Sequence, residues 1–112
     1  MYDLYEELNQ KNKHLNRSVK ELRTSGTNYA QAEQNYKMEL SKETLKLRDS
    51  GMPVTMIPLV VYGRPNVAKL RFERDVAEAV YKANLESINS LKLQIRILEN
   101  QIGREWSNTP NE

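Results

Sequence analysis

The sequence predicts an all-α protein: a long antiparallel helical hairpin, coiled-coil-like, with a short helical elbow at its tip. Three of the four prolines and two of the four glycines fall within residues 50–65. Residues 3–49 contain no proline, and apolar residues recur at helical spacing on both sides of the elbow. We therefore interpret residues 1–112 as a single helical-hairpin domain, with helices over about 3–49 and 66–106 and a tail over 107–112.

Composition restricts the function classes. Hydrophobic residues make up 38% of the chain and charged residues 29%, which is typical of a folded, helix-rich soluble protein. The net charge of +2 gives no overall attraction to nucleic acid or membrane, and the lack of cysteine excludes disulfides and thiolate metal sites. The longest apolar run, Val54 to Tyr62, is far shorter than the roughly 20 residues that span a bilayer. Because the first residues are acidic, unlike a signal peptide, we expect a cytoplasmic location.

In the first predicted helix, one seam position recurs at every seventh residue: Leu8, Leu15, Leu22, Tyr29 and Tyr36. The alternate seam position is more polar and holds Asn12, Val19, Gly26, Glu33, Leu40 and Leu47. This is coiled-coil spacing, but Gly26 lies in a run of poor helix formers, residues 24–28, and glycine costs a helix about 1 kcal/mol relative to alanine. Either the helix breaks there or Gly26 is a notch for close packing. The unbroken seven-residue phase favours the notch.

The elbow opens with helix-ending signals. Gly51 is placed as a left-handed C-cap, and Pro53 follows it. Residues 53–62 predict a short helix with Pro53 at its first position and Gly63 closing it. The elbow also echoes the apolar-and-glycine pattern of a helix-turn-helix motif, through Leu45, Gly51, Ile57, Gly63, Val67 and Leu70. The alternative is an apolar cap on the end of the hairpin.

The second helix has the more regular seam. One position holds Val67, Arg74, Tyr81, Ile88, Ile95 and Ile102. The other holds Leu70, Ala77, Asn84, Leu91 and Leu98. Further apolar residues widen this face beyond a two-helix seam: Val76, Val80, Ala83, Leu93 and Ile97. A second partner helix is therefore implied, and we expect a homodimer that forms a four-helix bundle.

The core or oligomer seam is predicted to comprise Leu15, Val19, Leu22, Ile88, Leu91, Ile95, Leu98 and Ile102. When the two seams are aligned by folding the chain back, Tyr36 is predicted to lie over Ala77, and Tyr29 near Asn84 and Ile88.

Catalytic and metal-binding patterns are absent from the sequence. His14 is the one histidine, and no phosphate-binding glycine loop or metal-ligand spacing accompanies it. Glu39 and Glu43 are helical neighbours among basic residues, which predicts ion-paired surface side chains. We expect no enzymatic activity, no cofactor and no small-molecule substrate.

Two features suggest binding surfaces. The elbow holds more apolar side chains than a two-helix tip can bury, which predicts a protein-binding surface formed by Met52, Val54, Met56, Leu59, Val60 and Tyr62. Basic residues offer phosphate contacts and make nucleic acid the alternative ligand: Lys11, Lys13, Arg17 and Lys20 on the first helix, and Arg64, Lys69 and Arg71 after the elbow.

The chain resembles small helical proteins encoded by phages and prophages of Gram-positive bacteria. The resemblance covers residues 20–106 and includes the segments Leu22-Arg-x-x-Gly26-x-x-Tyr-Ala30, Leu47-Arg-Asp-x-Gly-Met-Pro-Val-Thr-x-Ile57, Val61-Tyr-Gly-x-Pro-x-Val-Ala-x-Leu-Arg71 and Arg104-Glu-Trp106. It implies an accessory role in the host cytoplasm, near replication and recombination proteins or their DNA. It carries no established activity and no site residues.

The leading hypothesis is therefore a non-enzymatic phage accessory protein that acts as an adaptor for another protein. Nucleic-acid binding, a structural or assembly role, and inhibition of host defence are the alternatives.

Overall fold

The computed structural model describes residues 3–107, and within them the protein is an all-α helical hairpin. Helix α1 spans Leu4–Asp49, the short helix α2 spans Ile57–Val61, and α3 spans Pro65–Ser107. There is no β-strand between residues 3 and 107. The predicted fold class is confirmed, and both long helices begin and end within about one residue of the predicted bounds. Ser107 belongs to α3, and the rest of the predicted tail lies outside the described residues.

The chain divides into two compact units. The elbow unit is Thr24–Tyr81, and it contains the second part of α1, all of α2 and the first part of α3. The terminal unit contains the rest of α1, up to Arg23, and the rest of α3, from Lys82. No helix of the described part of the chain is long and apolar enough to cross a membrane.

A side-chain cap fixes the start of α1. One carboxylate oxygen of Asp3, Oδ1, accepts hydrogen bonds from the backbone N–H groups of Tyr5 at 3.0 Å and Glu6 at 3.3 Å. The first N–H groups of a helix have no partner within it, so this carboxylate satisfies two of them. Its negative charge also lies at the positive end of the helix dipole.

Gly26 does not interrupt α1, which continues through residues 24–28. A Cβ atom at this position would lie 3.4 Å from Cε2 of Tyr81 on α3. The ring of Tyr29 lies beside the same tyrosine, with ring centroids 5.9 Å apart. A methyl group at this position would therefore make an ordinary van der Waals contact with Tyr81, so the prediction of one continuous helix is confirmed and the helix break is wrong.

The end of α1 is a Schellman motif. Gly51 has a φ of 85°, in the left-handed region. Its N–H donates to the carbonyl of Arg48 at 3.1 Å, and the N–H of Met52 donates to the carbonyl of Leu47 at 3.2 Å. This bonding pattern satisfies helix-end carbonyls and is the predicted glycine C-cap.

Helix α2 is shorter than the predicted 53–62 helix. The N–H of Met56 donates to the carbonyl of Pro53 at 2.9 Å, so residues 53–56 form a turn and α2 begins only at Ile57. The prediction that Pro53 begins the helix is therefore wrong. A helix beginning at Pro53 would place Pro58 in its interior, where an N–H donor is needed. The later start puts Pro58 in the first turn, and Gly63 closes the helix by donating to Val60 at 3.1 Å.

The core of the elbow unit joins all three helices. Five buried side chains form it: Tyr36, Leu47, Ile57, Val61 and Val67. Leu40, Met52, Val60 and Leu70 are half-buried and pack against this cluster. Full burial of an aliphatic side chain stabilises a fold by about 1.5–3 kcal/mol, so Ile57 and Val61 hold the elbow against the long helices.

The pairing of α1 with α3 in the elbow unit differs from the predicted register. Tyr29 contacts Tyr81, and the ring of Tyr36 contacts Arg74 rather than Ala77. Both contacts are about one helical turn from the predicted positions. Seven-residue spacing allows either register, and in the observed one Tyr81 packs against Gly26 and Tyr29.

In the terminal unit, the predicted seam residues of α3 lie inward. Ile88, Leu91, Ile95 and Leu98 are buried, and Ile102 is half-buried. On α1, Leu15, Val19 and Leu22 are half-buried, and the indole N–H of Trp106 donates to the hydroxyl of Tyr5. The α1 seam is rotated slightly from the predicted one, because Ser18 is buried and Asn12 is exposed.

Candidate interaction surface at the elbow

The exposed apolar residues of the elbow form what we call the tip surface: Val54, Met56, Leu59 and Tyr62. Val54 and Leu59 are each 74% exposed, and Met56 and Tyr62 are 46% and 44% exposed. Ile57 and Val61, four residues apart on α2, face the core. Leu59 lies midway between them in sequence and so projects from the opposite side of α2.

The predicted protein-binding surface is only partly exposed. Met52 and Val60 are half-buried and pack against the elbow core, whereas Val54, Met56, Leu59 and Tyr62 project from it. Ile57 and Val61 anchor the tip surface and were not predicted as part of the site. The two residues lie four apart within an apolar run, and this spacing could have indicated that they share one face of a helix.

The backbone beneath the tip surface is fixed on both sides. The Schellman motif orients the chain as it leaves α1. Before α3 begins, the N–H of Arg64 donates to the carbonyl of Val61 at 3.2 Å. Pro65 then begins α3 at a position where no N–H donor is needed. A surface held in this way loses little conformational entropy on binding, which favours affinity.

Basic side chains lie next to the tip surface in sequence. Arg48, Arg64, Lys69 and Arg71 are exposed, with Asp49 as the acidic residue among them. The guanidinium carbon of Arg71 lies 5.4 Å from the centre of the Tyr62 ring, a cation–π contact that joins the apolar and basic groups. The elbow therefore combines exposed apolar area with positive charge.

A polar contact positions the start of α3. The side-chain amide of Asn66 donates to Oε1 of Glu43 at 3.0 Å and also to Glu39. Glu43 is buried, contrary to the predicted surface position, and it also pairs with Lys46 at 3.3 Å. The hydrogen bond from Asn66 lowers the pKa of Glu43; burial opposes this effect, and Lys46 reinforces it. Asn66 was not predicted as a partner of these carboxylates.

Arg74 is engaged within the hairpin. Its guanidinium carbon lies 4.5 Å from the centre of the Tyr36 ring, and it contacts Asp75 at 2.8 Å and Glu33 at 3.6 Å. The hydrogen bond with Asp75 raises the pKa of Arg74 above its ordinary value. These contacts give Arg74 a structural role and leave Arg64, Lys69 and Arg71 as the exposed basic residues between positions 62 and 74.

The other predicted basic group lies on α1 in the terminal unit. Lys13, Arg17 and Lys20 are exposed, and Lys11 is half-buried. A helix-turn-helix core would bury Leu45, but Leu45 is 54% exposed, which favours the cap interpretation of the elbow.

No arrangement suited to catalysis stands out in the described part of the chain. His14 is exposed on α1. Between residues 3 and 107, no group of three or more histidine, cysteine, aspartate or glutamate side chains could hold a metal ion. Comparison with protein-family models, curated proteins and solved structures finds no match. The tip surface is therefore the candidate site.

Proposed function

We propose that the protein is a non-enzymatic interaction module that binds another protein through the tip surface. The observation that carries this proposal is the high exposure of Val54 and Leu59 on an elbow whose inward side is well packed. Several exposed apolar side chains on one short segment are typical of protein contacts. Met56 adds a flexible side chain that adapts to the shape of a partner.

The chemistry of the elbow favours an apolar segment with acidic flanks. The partner's apolar side chains would cover Leu59 and Met56, and its carboxylates would meet Arg64 and Arg71. Charges at the rim of an interface mainly accelerate association and set the orientation of the partner. Binding by this mechanism weakens only moderately with salt, because apolar burial supplies most of the affinity.

The biological setting that we propose comes from the resemblance to phage and prophage accessory proteins. In that setting the partner is a replication or recombination protein in the host cytoplasm. This role requires a surface that binds another protein, and the elbow offers such a surface. It does not require a catalytic group.

The test replaces Met56 and Leu59 together by serine. We expect loss of partner capture with unchanged helicity, because neither side chain belongs to the elbow core. The matched control replaces Met38 and Leu45 by serine, since these residues are also exposed, at 64% and 54%, but lie on α1. Tagged variants are recovered from infected or lysogenic cells, and the captured protein is then titrated directly against each variant.

The proposal is supported when the tip variant loses the captured protein in that titration and the control variant keeps it. Equal binding by both variants would overturn it. A salt-sensitive shift of duplex DNA that depends on Arg64 and Arg71 but not on Leu59 would instead favour the nucleic-acid alternative.

A further inference from the structure

Two arginines of α3 contact tyrosine rings in the elbow unit. The guanidinium carbon of Arg74 lies 4.5 Å from the centre of the Tyr36 ring. The guanidinium carbon of Arg71 lies 5.4 Å from the centre of the Tyr62 ring. The face of a ring attracts a cation but supplies no oxygen atom that accepts a hydrogen bond. Each guanidinium therefore has N–H donors that still need acceptors.

Arg74 finds its acceptors within the hairpin. Its guanidinium donates to Oδ1 of Asp75 at 2.8 Å and 3.0 Å, and it lies 3.6 Å from a carboxylate oxygen of Glu33. The side chain of Arg74 is only 21% exposed. A tyrosine ring and two carboxylates thus satisfy this arginine inside the fold.

Arg71 has the ring but lacks the carboxylates. Its side chain is exposed, and among residues 3–107 no carboxylate forms a salt bridge with it. Asp75 lies one turn further along α3, where it could reach Arg71, but Arg74 already holds it. The guanidinium of Arg71 is therefore available to a carboxylate from another molecule.

The position of Arg71 places this guanidinium at the edge of the tip surface. Tyr62 belongs to that surface and contacts Arg71 directly. Arg64 precedes Arg71 by seven residues, and its carbonyl accepts the N–H of Ala68 at 2.8 Å, so the helical pattern begins at Arg64 and the two arginines share a face. A segment whose apolar side chains cover Leu59 and Tyr62 would bring its neighbouring side chains next to this positive charge.

We propose that Arg71 selects the partner of the tip surface by pairing with an aspartate or glutamate side chain that adjoins the partner's apolar residues. Tyr62 positions Arg71 for this contact. The inference rests on the protein binding proposed for the tip surface. In the complex, the partner's carboxylate takes the place that Asp75 has beside Arg74.

The chemistry of arginine suits this role. Its planar guanidinium presents paired N–H donors that match both oxygens of a carboxylate, whereas lysine offers a single ammonium group. A partner with a lysine at the same place is disfavoured by like charge. Arg71 thus contributes specificity in addition to the affinity that apolar burial supplies.

A peptide library tests the proposal without knowledge of the natural partner. Short random peptides displayed on yeast are selected for binding to the full-length protein, and the enriched sequences are compared between the wild type and Arg71→Gln. We expect the wild type to enrich acidic residues beside apolar ones, and Arg71→Gln to enrich the apolar residues alone. The matched control, Arg96→Gln, is exposed on α3 in the terminal unit and should keep the acidic enrichment.

A set of substitutions in both molecules then measures the pairing itself. One enriched peptide with a single acidic residue is synthesised with an amidated C-terminus, so that this side chain carries its only carboxylate. Replacing that side chain by its amide is expected to weaken binding to the wild type about three- to tenfold and to change binding to Arg71→Gln little. Tyr62→Phe keeps the ring and should preserve the difference, whereas Tyr62→Leu should reduce it.

The outcomes separate this inference from the proposed function. Peptides that lose binding to Leu59→Ser but show no acidic enrichment on the wild type would overturn the role of Arg71 and leave the protein-binding proposal standing. An acidic enrichment that Arg71→Gln leaves intact would have the same meaning. A library in which no selected peptide depends on Leu59 would contradict both proposals.

Discussion

At the scale of single residues, Asn66 joins the first turn of α3 to α1. Its amide donates to the carboxylates of Glu39 and Glu43, and Glu43 is buried. A buried carboxylate needs hydrogen bonds or an opposite charge to stay ionised, and Asn66 together with Lys46 provides both. Removing the amide therefore leaves a buried acceptor without one of its donors, which is more costly than losing an exposed hydrogen bond.

This contact predicts a pH-dependent effect of Asn66→Ala. The folded-state pKa of Glu43 lies below its ordinary value of 4.5, so the hydrogen bond stabilises the fold above that pH. The stabilisation is lost as the pH falls through the folded-state pKa. We expect Asn66→Ala to lower the melting temperature at pH 7 and to have a smaller effect at pH 3, measured by thermal unfolding followed by circular dichroism.

The Glu43→Gln variant provides the control for this experiment. Glutamine accepts a hydrogen bond from Asn66 but does not titrate, so the effect of Asn66→Ala should depend less on pH in this background, where only the contact with Glu39 still involves a carboxylate. The contrary outcome is that, in the protein that retains Glu43, Asn66→Ala lowers the melting temperature by the same amount at pH 7 and at pH 3. That result would show that the carboxylate is not involved.

At the scale of elements, the turn after α1 determines where the tip surface lies. Gly51→Ala places a Cβ atom at a φ of 85°, which costs roughly 1–2 kcal/mol for a residue other than glycine. We expect the free energy of unfolding to fall by this amount, as measured by urea denaturation. Because the Schellman motif sets the direction of the chain into α2, we also expect weaker binding through the tip surface.

Gly63→Ala is the matched control. Gly63 does not have a positive φ, and a Cβ atom there would meet only the carbonyl of Val60 at 3.6 Å. A Gly51→Ala protein as stable as the Gly63→Ala protein would contradict the importance of the left-handed cap.

The elements themselves could be predicted from local signals in the sequence. Gly51 with Pro53 predicted the end of α1, and the isoleucine and leucine positions from Ile88 to Ile102 predicted the inward face of α3. Each signal depends only on the residues next to it. The register in the elbow unit could not be predicted in this way, because it depends on contacts between α1 and α3 such as those of Tyr29 with Tyr81 and of Tyr36 with Arg74.

Contacts between side chains of α1 and α3 also could not be predicted from the sequence. Asn66 and Glu43 are far apart in the chain, and no periodic pattern links an asparagine to a buried glutamate. For the tip surface, composition predicted an excess of apolar side chains. Only the packing of α2 shows that Ile57 and Val61 face inward while Leu59 faces outward.

At the scale of the whole molecule, some of the apolar residues form buried seams and others are exposed. The wide apolar face predicted for the second helix contains both kinds: its seam residues lie inward, whereas Val76, Val80, Leu93 and Ile97 are exposed. We assign partner binding to the tip surface and the homodimer predicted from the sequence to the outward apolar residues of α3, such as Val76 and Val80.

This division predicts how thermal stability depends on protein concentration. Association of folded chains stabilises them by mass action, so the melting temperature of the wild-type protein should rise with concentration. Val76→Asp should abolish that dependence and lower the melting temperature at high concentration. The Met56→Ser and Leu59→Ser double variant should retain it, because neither side chain lies on α3. Loss of the concentration dependence in the tip variant would mean that the tip surface is itself the dimer interface.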